Sequence, residues 1–463
     1  MEALDLLQQD YTGFAEGNQE MMEALQKALT AGSGVDAGLP YTGGRAMTPE
    51  SLDTTLVNVL WSQEEAKFFK ELKKNPVKSP VHQWTKRTEV GATDGAWVAE
   101  GGDSIEADQT LARAYVVMKY LQTLRKVTLQ ATLTNMIEDA TTSEKIAGTL
   151  WIIRQVERIL FTGDKDIIAQ EPDGLDALIS TNVLDMRGAS ADASGFEDKI
   201  LEGARRIRGN YGVPTHLFTS LAICEDIQKM LRDRLRVGGG TQLPAAVIEE
   251  YPTPFGRPKI IDDVFIAEGA TGVASLLTAD RPSQPTIGAI TRQAASGGRT
   301  SEFDAGDEGS YYYQVGAVNQ YGMSQLSAAV QVTGVIAGDE IPLVLTDGAS
   351  HGTGFFVFRS KKDAAAGTDC RYAWKIAWSG ADPTIYCTNA DLPGCSSTYL
   401  LNLNATYDAV EWEQFLPMMR FPLYPTNAAV YPFLMLLFGA LGLKKEEQMT
   451  RIKNIAPATL GWF

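Results

Sequence analysis

Gly348-Ala-Ser350-His-Gly352 has the G-x-S-x-G form of a nucleophile elbow, in which a serine on a strand-to-helix turn attacks an acyl carbon. That chemistry needs an acid and then a histidine later in the chain, and no histidine follows His351. The next segment reads as a strand, so the motif is a glycine-rich hairpin turn. His82 and His216 stand alone, without HExxH or paired-histidine spacing, and are expected to be structural. Asp94, Glu100, Asp103, Glu106 and Asp108 gather enough carboxylate to draw a cation but lack the D-x-[DN]-x-[DN]-G order of a calcium loop. They read as a solvated or neighbour-facing loop, with Lys119, Arg125 and Lys126 placed to supply ion pairs to an adjoining copy. No G-x-x-x-x-G-K-[ST] phosphate loop occurs. Cys224, Cys370, Cys387 and Cys395 lack CxxC spacing and read as buried thiols of a reducing compartment, with one late disulfide left open. No catalytic centre, cofactor or metal site is expected, and the chain reads as a non-enzyme.

The acidic loop is the tip of two extended runs. Val81 to Val90 leads in, Gly91 to Asp103 turns, and Ala114 to Tyr120 with Val127 to Leu129 returns. Two strands of about 15 residues a side would reach roughly 50 Å at 3.3 Å per residue. An isolated two-stranded ribbon cannot bury its own faces. It needs a surface on another molecule, and Trp97 and Val98 at its tip are the expected hydrophobic anchors. That is an argument for assembly over catalysis.

The bulk numbers agree. The 463-residue chain is long enough for two or three domains, and 44% hydrophobic with 21% charged residues excludes wholesale disorder. A formal charge of −16 argues against a dedicated nucleic-acid binder and favours solubility at high copy number. The N-terminus has no basic n-region or signal-length apolar core, and the apolar run from Ala428 to Leu443 is shorter than a membrane span. A soluble protein with a buried element there is expected.

In chain order, residues 1–44 hold seven Asp/Glu against one Lys. Met22, Leu25 and Leu29 suggest a short helix, either in a disordered tail or in an arm that orders on a neighbour. Leu52 to Leu72 has helical character, broken by Asn75 to Pro80. Thr141-x-x-Glu144 has the form of a capping box opening a helix to Phe161. Phe196 to Arg208 and Leu221 to Leu235 are amphipathic helices; Pro214 to Ser220 and Lys259 to Ile266 are strands. From Arg281 to Asn404 helical periodicity vanishes. Tyr311 to Asn319, Ile341 to Leu345, Phe355 to Arg359 and Tyr372 to Trp378 read as strands of a β-sandwich. Mixed structure resumes at Tyr407, so the sandwich is an insertion into an α/β host.

Residues 45–280 and 405–460 resemble, in the order and texture of their elements, the major capsid proteins of tailed bacteriophages, a fold shared with encapsulins. The resemblance implies an α+β, HK97-like capsid fold with an inserted all-β sandwich. Its parts would be an N-terminal arm (1–78), an E-loop (79–134), a spine helix and axial A domain (135–280), the insert (281–404) and returning peripheral P-domain strands (405–463). Tyr311-x-Tyr313-x-Val315-x-Ala317-Val-Asn319-x-x-Gly322-x-Ser324 is similar to the F–G strands of a fibronectin type III domain. Phe355 to Ser360 is similar to that fold's C strand but comes later in the chain, as in a permuted immunoglobulin-like sandwich.

The expected function is therefore a virion subunit that self-associates into hexamers and pentamers of an icosahedral head around double-stranded DNA. The head would be assembled in the host cytoplasm and touch its DNA weakly and non-specifically. Scaffold, portal and decoration proteins are the further expected partners; no membrane contact is. Two alternatives stand beside it: an encapsulin-like nanocompartment shell, and a secreted or surface adhesion protein using the sandwich.

Overall fold

A computed structural model describes residues 63–91, 97–103, 108–133, 139–234, 248–268, 280–347, 352–378, 384–425 and 428–458. The chain divides into two compact units, Met1–Val59 with Asn135–Asp139, and Leu60–Thr134 with Ala140–Phe463. The architecture below is that of the second. Residues 1–62 of the expected N-terminal arm (1–78), with the start of the Leu52 to Leu72 helix, lie outside the described residues.

The first elements are the short helix α1 (Lys67–Glu71) and strands β1 (Lys74–Pro76), β2 (Val81–Glu89), β3 (Thr110–Val117) and β4 (Lys119–Thr128). Helices α2 (Leu129–Leu133), α3 (Ala140–Thr162) and α4 (Leu175–Leu178) follow. Next come β5 (Val183–Asp185), α5 (Ser194–Gly209), β6 (His216–Thr219), α6 (Leu221–Arg234) and β7 (Lys259–Asp262). The 75–80 segment, expected only as a break, overlaps β1, a parallel edge strand on the late part of the chain. Proline fits there because an edge strand can forgo one donor. Helix α3 starts at Ala140, so Thr141 lies in its first turn, and Glu144 reaches Arg125 on β4 at 3.5 Å.

An all-β region follows: β8 (Thr286–Ile287), β9 (Gln293–Ala294), β10 (Gly309–Asn319), β11 (Gly322–Met323), β12 (Val330–Val335), β13 (Asp339–Asp347), β14 (Gly354–Arg359), β15 (Arg371–Ala377) and β16 (Thr384–Cys387). One sheet runs β11-β10-β14-β15 with β12 on β10; a second runs β16-β13-β8 with β9 on β13. Tyr313, Val315, Phe355 and Val357 of the first share a core with Ile341, Leu343, Leu345 and Ile385 of the second.

The last strands are β17 (Ser396–Leu401), β18 (Val410–Pro422), β19 (Val430–Leu443) and β20 (Thr450–Ile455). Two boundaries differ from the sequence reading. β17, expected inside the insert, pairs with β6 and β20, and β20, expected among the peripheral strands, pairs with β5. Both complete a five-stranded sheet, β5-β20-β17-β6-β7, covered by α5 and α6. These strands were misplaced because a short buried run carries no mark of which sheet it joins. The apolar run at 430–443 is a strand, central in a four-stranded sheet, β1-β18-β19-β4. Helix α3 lies on that sheet at close range: a Cβ on Gly148 would stand 3.2 Å from Met435 Cγ. At the far end of α3, Phe161 joins Phe68, Phe218 and Tyr399 in a core shared with Trp412 and Phe433. No helix among the described residues is long and apolar enough to cross a membrane.

Candidate functional site: an uncovered ribbon and sheet face

Among the described residues strands β2 and β3 pair only with each other, from Val81↔Val117 to Glu89↔Thr110, with a bulge after Arg87. The paired arm is therefore eight or nine residues a side and spans about 30 Å at 3.3 Å per residue. The sequence suggested a longer arm because the return strand looked continuous through Leu129. It breaks at Met118, whose side chain is buried and whose N–H bonds the Pro80 carbonyl at 2.8 Å. Past that pin the chain leaves the ribbon and becomes β4 of the four-stranded sheet.

Residues opposite one another on antiparallel strands share a face. Val81, Val117, Tyr115 and Leu111 thus line one face with Gln83, Thr85, Arg87 and Arg113, and all eight are exposed. His82, Trp84, Lys86, Ala114 and Val116 line the other, which is half-buried. That inner face turns to the chain's own body: His82 Nε2 stands 3.7 Å from Glu413 Oε1 on β18. Glu413 is fully buried, accepts from Asn75 Nδ2 at 2.7 Å and lies 3.3 Å from Lys444 Nζ. The base of the ribbon meets its own body at this contact, and its outer face is left exposed by the described residues of its own chain.

A second open apolar surface lies on the four-stranded sheet, on the side away from α3. Tyr120 and Leu124 of β4 are exposed there, opposite half-buried Phe438 and Leu434 of β19. Met419 and Phe421 of β18, exposed as well, pair with Leu436 and Leu434. Alternation along 119–128 carries part of this signal in the sequence, where the stretch reads as the return strand of the ribbon.

Against known families, residues 26–282 match the SU10 major capsid protein family. The chain belongs to that family. A relative from Enterococcus phage phiEF24C is 24% identical over 458 residues, covering 94% of this chain and 95% of the relative. The major capsid protein of Staphylococcus phage S25-3 is 22% identical over 462 residues, covering 94% and 96%. Among solved structures, the capsid of a native GTA particle covers 89% of this chain and 97% of its own at 8% identity and a TM-score of 0.46. A phage major capsid protein is a structural, shell-forming component of the virion.

The expected contact residues of this capsid protein divide into two groups. Trp97 leaves 98% of its surface open, and Val98, Glu100 and Asp103 are exposed beside it. Lys126 is exposed on β4. Lys119 and Arg125, by contrast, are engaged at home: Lys119 Nζ donates to the Ala169 carbonyl at 2.5 Å, and Arg125 pairs with Glu144. Asp94 and Glu106 lie outside the described residues, as do Ser350 and His351 of the G-x-S-x-G turn. The four cysteines are free thiols. Burial pushes the Cys370 thiol up to about 12, which keeps it protonated and unreactive. His216 is half-buried, stacks near Phe218 and is pushed down by desolvation, as befits a packed neutral imidazole.

Proposed function

We propose that this capsid protein builds the icosahedral head of a tailed phage, as hexamers and pentamers around double-stranded DNA, on an HK97-like plan. In that plan the E-loop, expected over 79–134, is the β2–β3 ribbon up to Met118, α3 is the spine helix, the five-stranded sheet the axial domain and the four-stranded sheet, β4 included, the peripheral domain. The all-β region is the immunoglobulin-like insert, carried outside. One observation carries the reading: the β2–β3 ribbon presents Val81, Leu111, Tyr115 and Val117 on a face that the described residues of its own chain leave exposed. A neighbour's open sheet face around Tyr120, Leu124, Met419 and Phe421 is a fitting seat. Many such moderate contacts sum to a durable shell, while each stays reversible during assembly. DNA contact is weak and non-specific at a net charge of −16. Scaffold, portal and decoration proteins are the further partners, and assembly takes place in the host cytoplasm.

An encapsulin-like compartment has the same plan; membership in a phage capsid family favours the virion. Negative-stain microscopy of the purified protein tests the reading, with closed shells expected. Trp97→Asp should leave the subunit soluble and block particle formation. Normal particles from that variant would remove the tip from the interface.

A further inference from the structure

Glu157 and Asp263 are two acids buried against one another at the joint where three parts of the fold meet. Glu157 lies on α3, one turn before Phe161, and is fully buried. Its Oε1 accepts the Phe68 N–H at 2.6 Å and its Oε2 the Phe69 N–H at 2.9 Å, which ties α1 to the helix. Asp263, 1% exposed, follows β7 directly. Its Oδ1 accepts the Phe265 N–H at 2.8 Å, and its own N–H bonds the Thr219 carbonyl at 2.9 Å. Asp263 Oδ2 is buried and has no donor. An orphan carboxylate oxygen in a core costs several kcal/mol unless a proton fills the gap. A second buried carboxylate beside it is where that proton would be shared.

We propose that Glu157 and Asp263 hold one proton between them, as an acid-set clasp that closes the joint of α1, α3 and β7 and loosens as the pH rises. Desolvation, then the neighbouring acid, drives Glu157 well above the usual carboxylate range. Desolvation also lifts Asp263 to about 6, against the opposing bond from Phe265. The other charged groups facing the pair are Lys67 and Asp262, which neutralise each other at 2.8 Å; the Cys224 thiol on α6 lies near them. The folded state therefore holds the proton to higher pH than the unfolded chain does. The clasp's contribution is complete below the ordinary carboxylate range and is lost as pH climbs through about 6 and beyond. Only once Glu157, held higher still, gives up its proton do two charges occupy one dry site.

Asp263→Asn isolates the effect. Its amide oxygen can still accept from Phe265, and its NH2 supplies permanently the donor that the proton supplies in the native pair. The unfolding midpoint of the full chain is measured from pH 5 to pH 8, beside the wild type. The two should converge at pH 5, and the variant should be more stable by several degrees at pH 8. Parallel curves with a constant offset would overturn the clasp. Should the variant not fold, Glu157→Gln takes its place in infrared difference spectra. At pH 6 the wild type should show one extra protonated-carboxyl C=O band, which weakens as the pH is raised further; no such band would equally overturn it. Neither readout depends on shell formation.

Discussion

The β2–β3 ribbon and the five-stranded sheet are built from similar residues and end in opposite states. In the sheet, Leu217, Phe218, Leu400, Leu401, Ile452 and Ile455 are all fully buried. In the ribbon no residue of either strand is buried, although it holds Val81, Trp84, Leu111, Tyr115, Val116 and Val117. β-propensity is the same in both; what differs is whether a second layer lies within the chain. The sheet has α5 and α6 on one side and the end of α3 on the other. The ribbon has its own body on one face only. In a shell-forming subunit, under the proposed function, that asymmetry would separate folding from assembly: one set of apolar residues stabilises the monomer, and the other is what the proposal assigns to a neighbour.

The comparison breaks most sharply in the core. Phe161 is fully buried among Phe68, Phe218 and Tyr399, with ring centroids 5.2 to 6.2 Å apart. Phe161→Ala should cost about 3–5 kcal/mol of subunit stability. Denaturant unfolding of the unassembled chain measures it, and a loss near zero would mean that the two sheets are not joined through this cluster. Somewhat smaller is the expected effect at Asn454, which fastens the all-β region to the end of β20. Its Nδ2 donates to both Asp185 oxygens and to the Ala390 carbonyl at 2.9 Å, while its Oδ1 accepts from Leu392. Its φ of 56° lies in the left-handed region that asparagine tolerates better than alanine. Asn454→Ala should cost about 3 kcal/mol. Asn454→Gly should recover only the backbone share, and equal losses in the two would mean that φ contributes nothing.

Much of this division was legible in the residues. The arm, its bare apolar character and the switch to β-rich texture near Arg281 follow from alternation and turn chemistry, which are local. The length of the arm was not legible, because a single pinned residue, Met118, decides where one pairing ends and the next begins. The home sheet of β17 and β20 was hidden for a related reason: pairing is a long-range choice among equally apolar strands. Of the expected contact residues, exposed Trp97 and Val98 followed from their position at a tip. Lys119 and Arg125 found partners within their own chain because β4 folds back along α3, which charge spacing cannot reveal. The paired acids Glu157 and Asp263 lie 106 positions apart in the sequence and left no motif at all.

The smallest effect on the subunit is the most telling for the ribbon. Leu111 is 54% exposed on the outer face, opposite Arg87, with no core to leave. Leu111→Thr keeps a β-former in the strand, so the local preference for extended backbone survives while apolar surface is lost. Subunit stability should stay within about 0.5 kcal/mol of wild type. A neighbour that covers the face would bury roughly the remaining half of the leucine, worth about 1 kcal/mol per contact. That is about a fivefold weakening of each contact. Repeated around every ring of the shell, it should raise the protein concentration at which particles appear, read by light scattering or sedimentation. Should the substitution instead lower subunit stability as much as a core change, the ribbon would already be packed within its own chain. Its apolar face would then hold nothing in reserve for a neighbour.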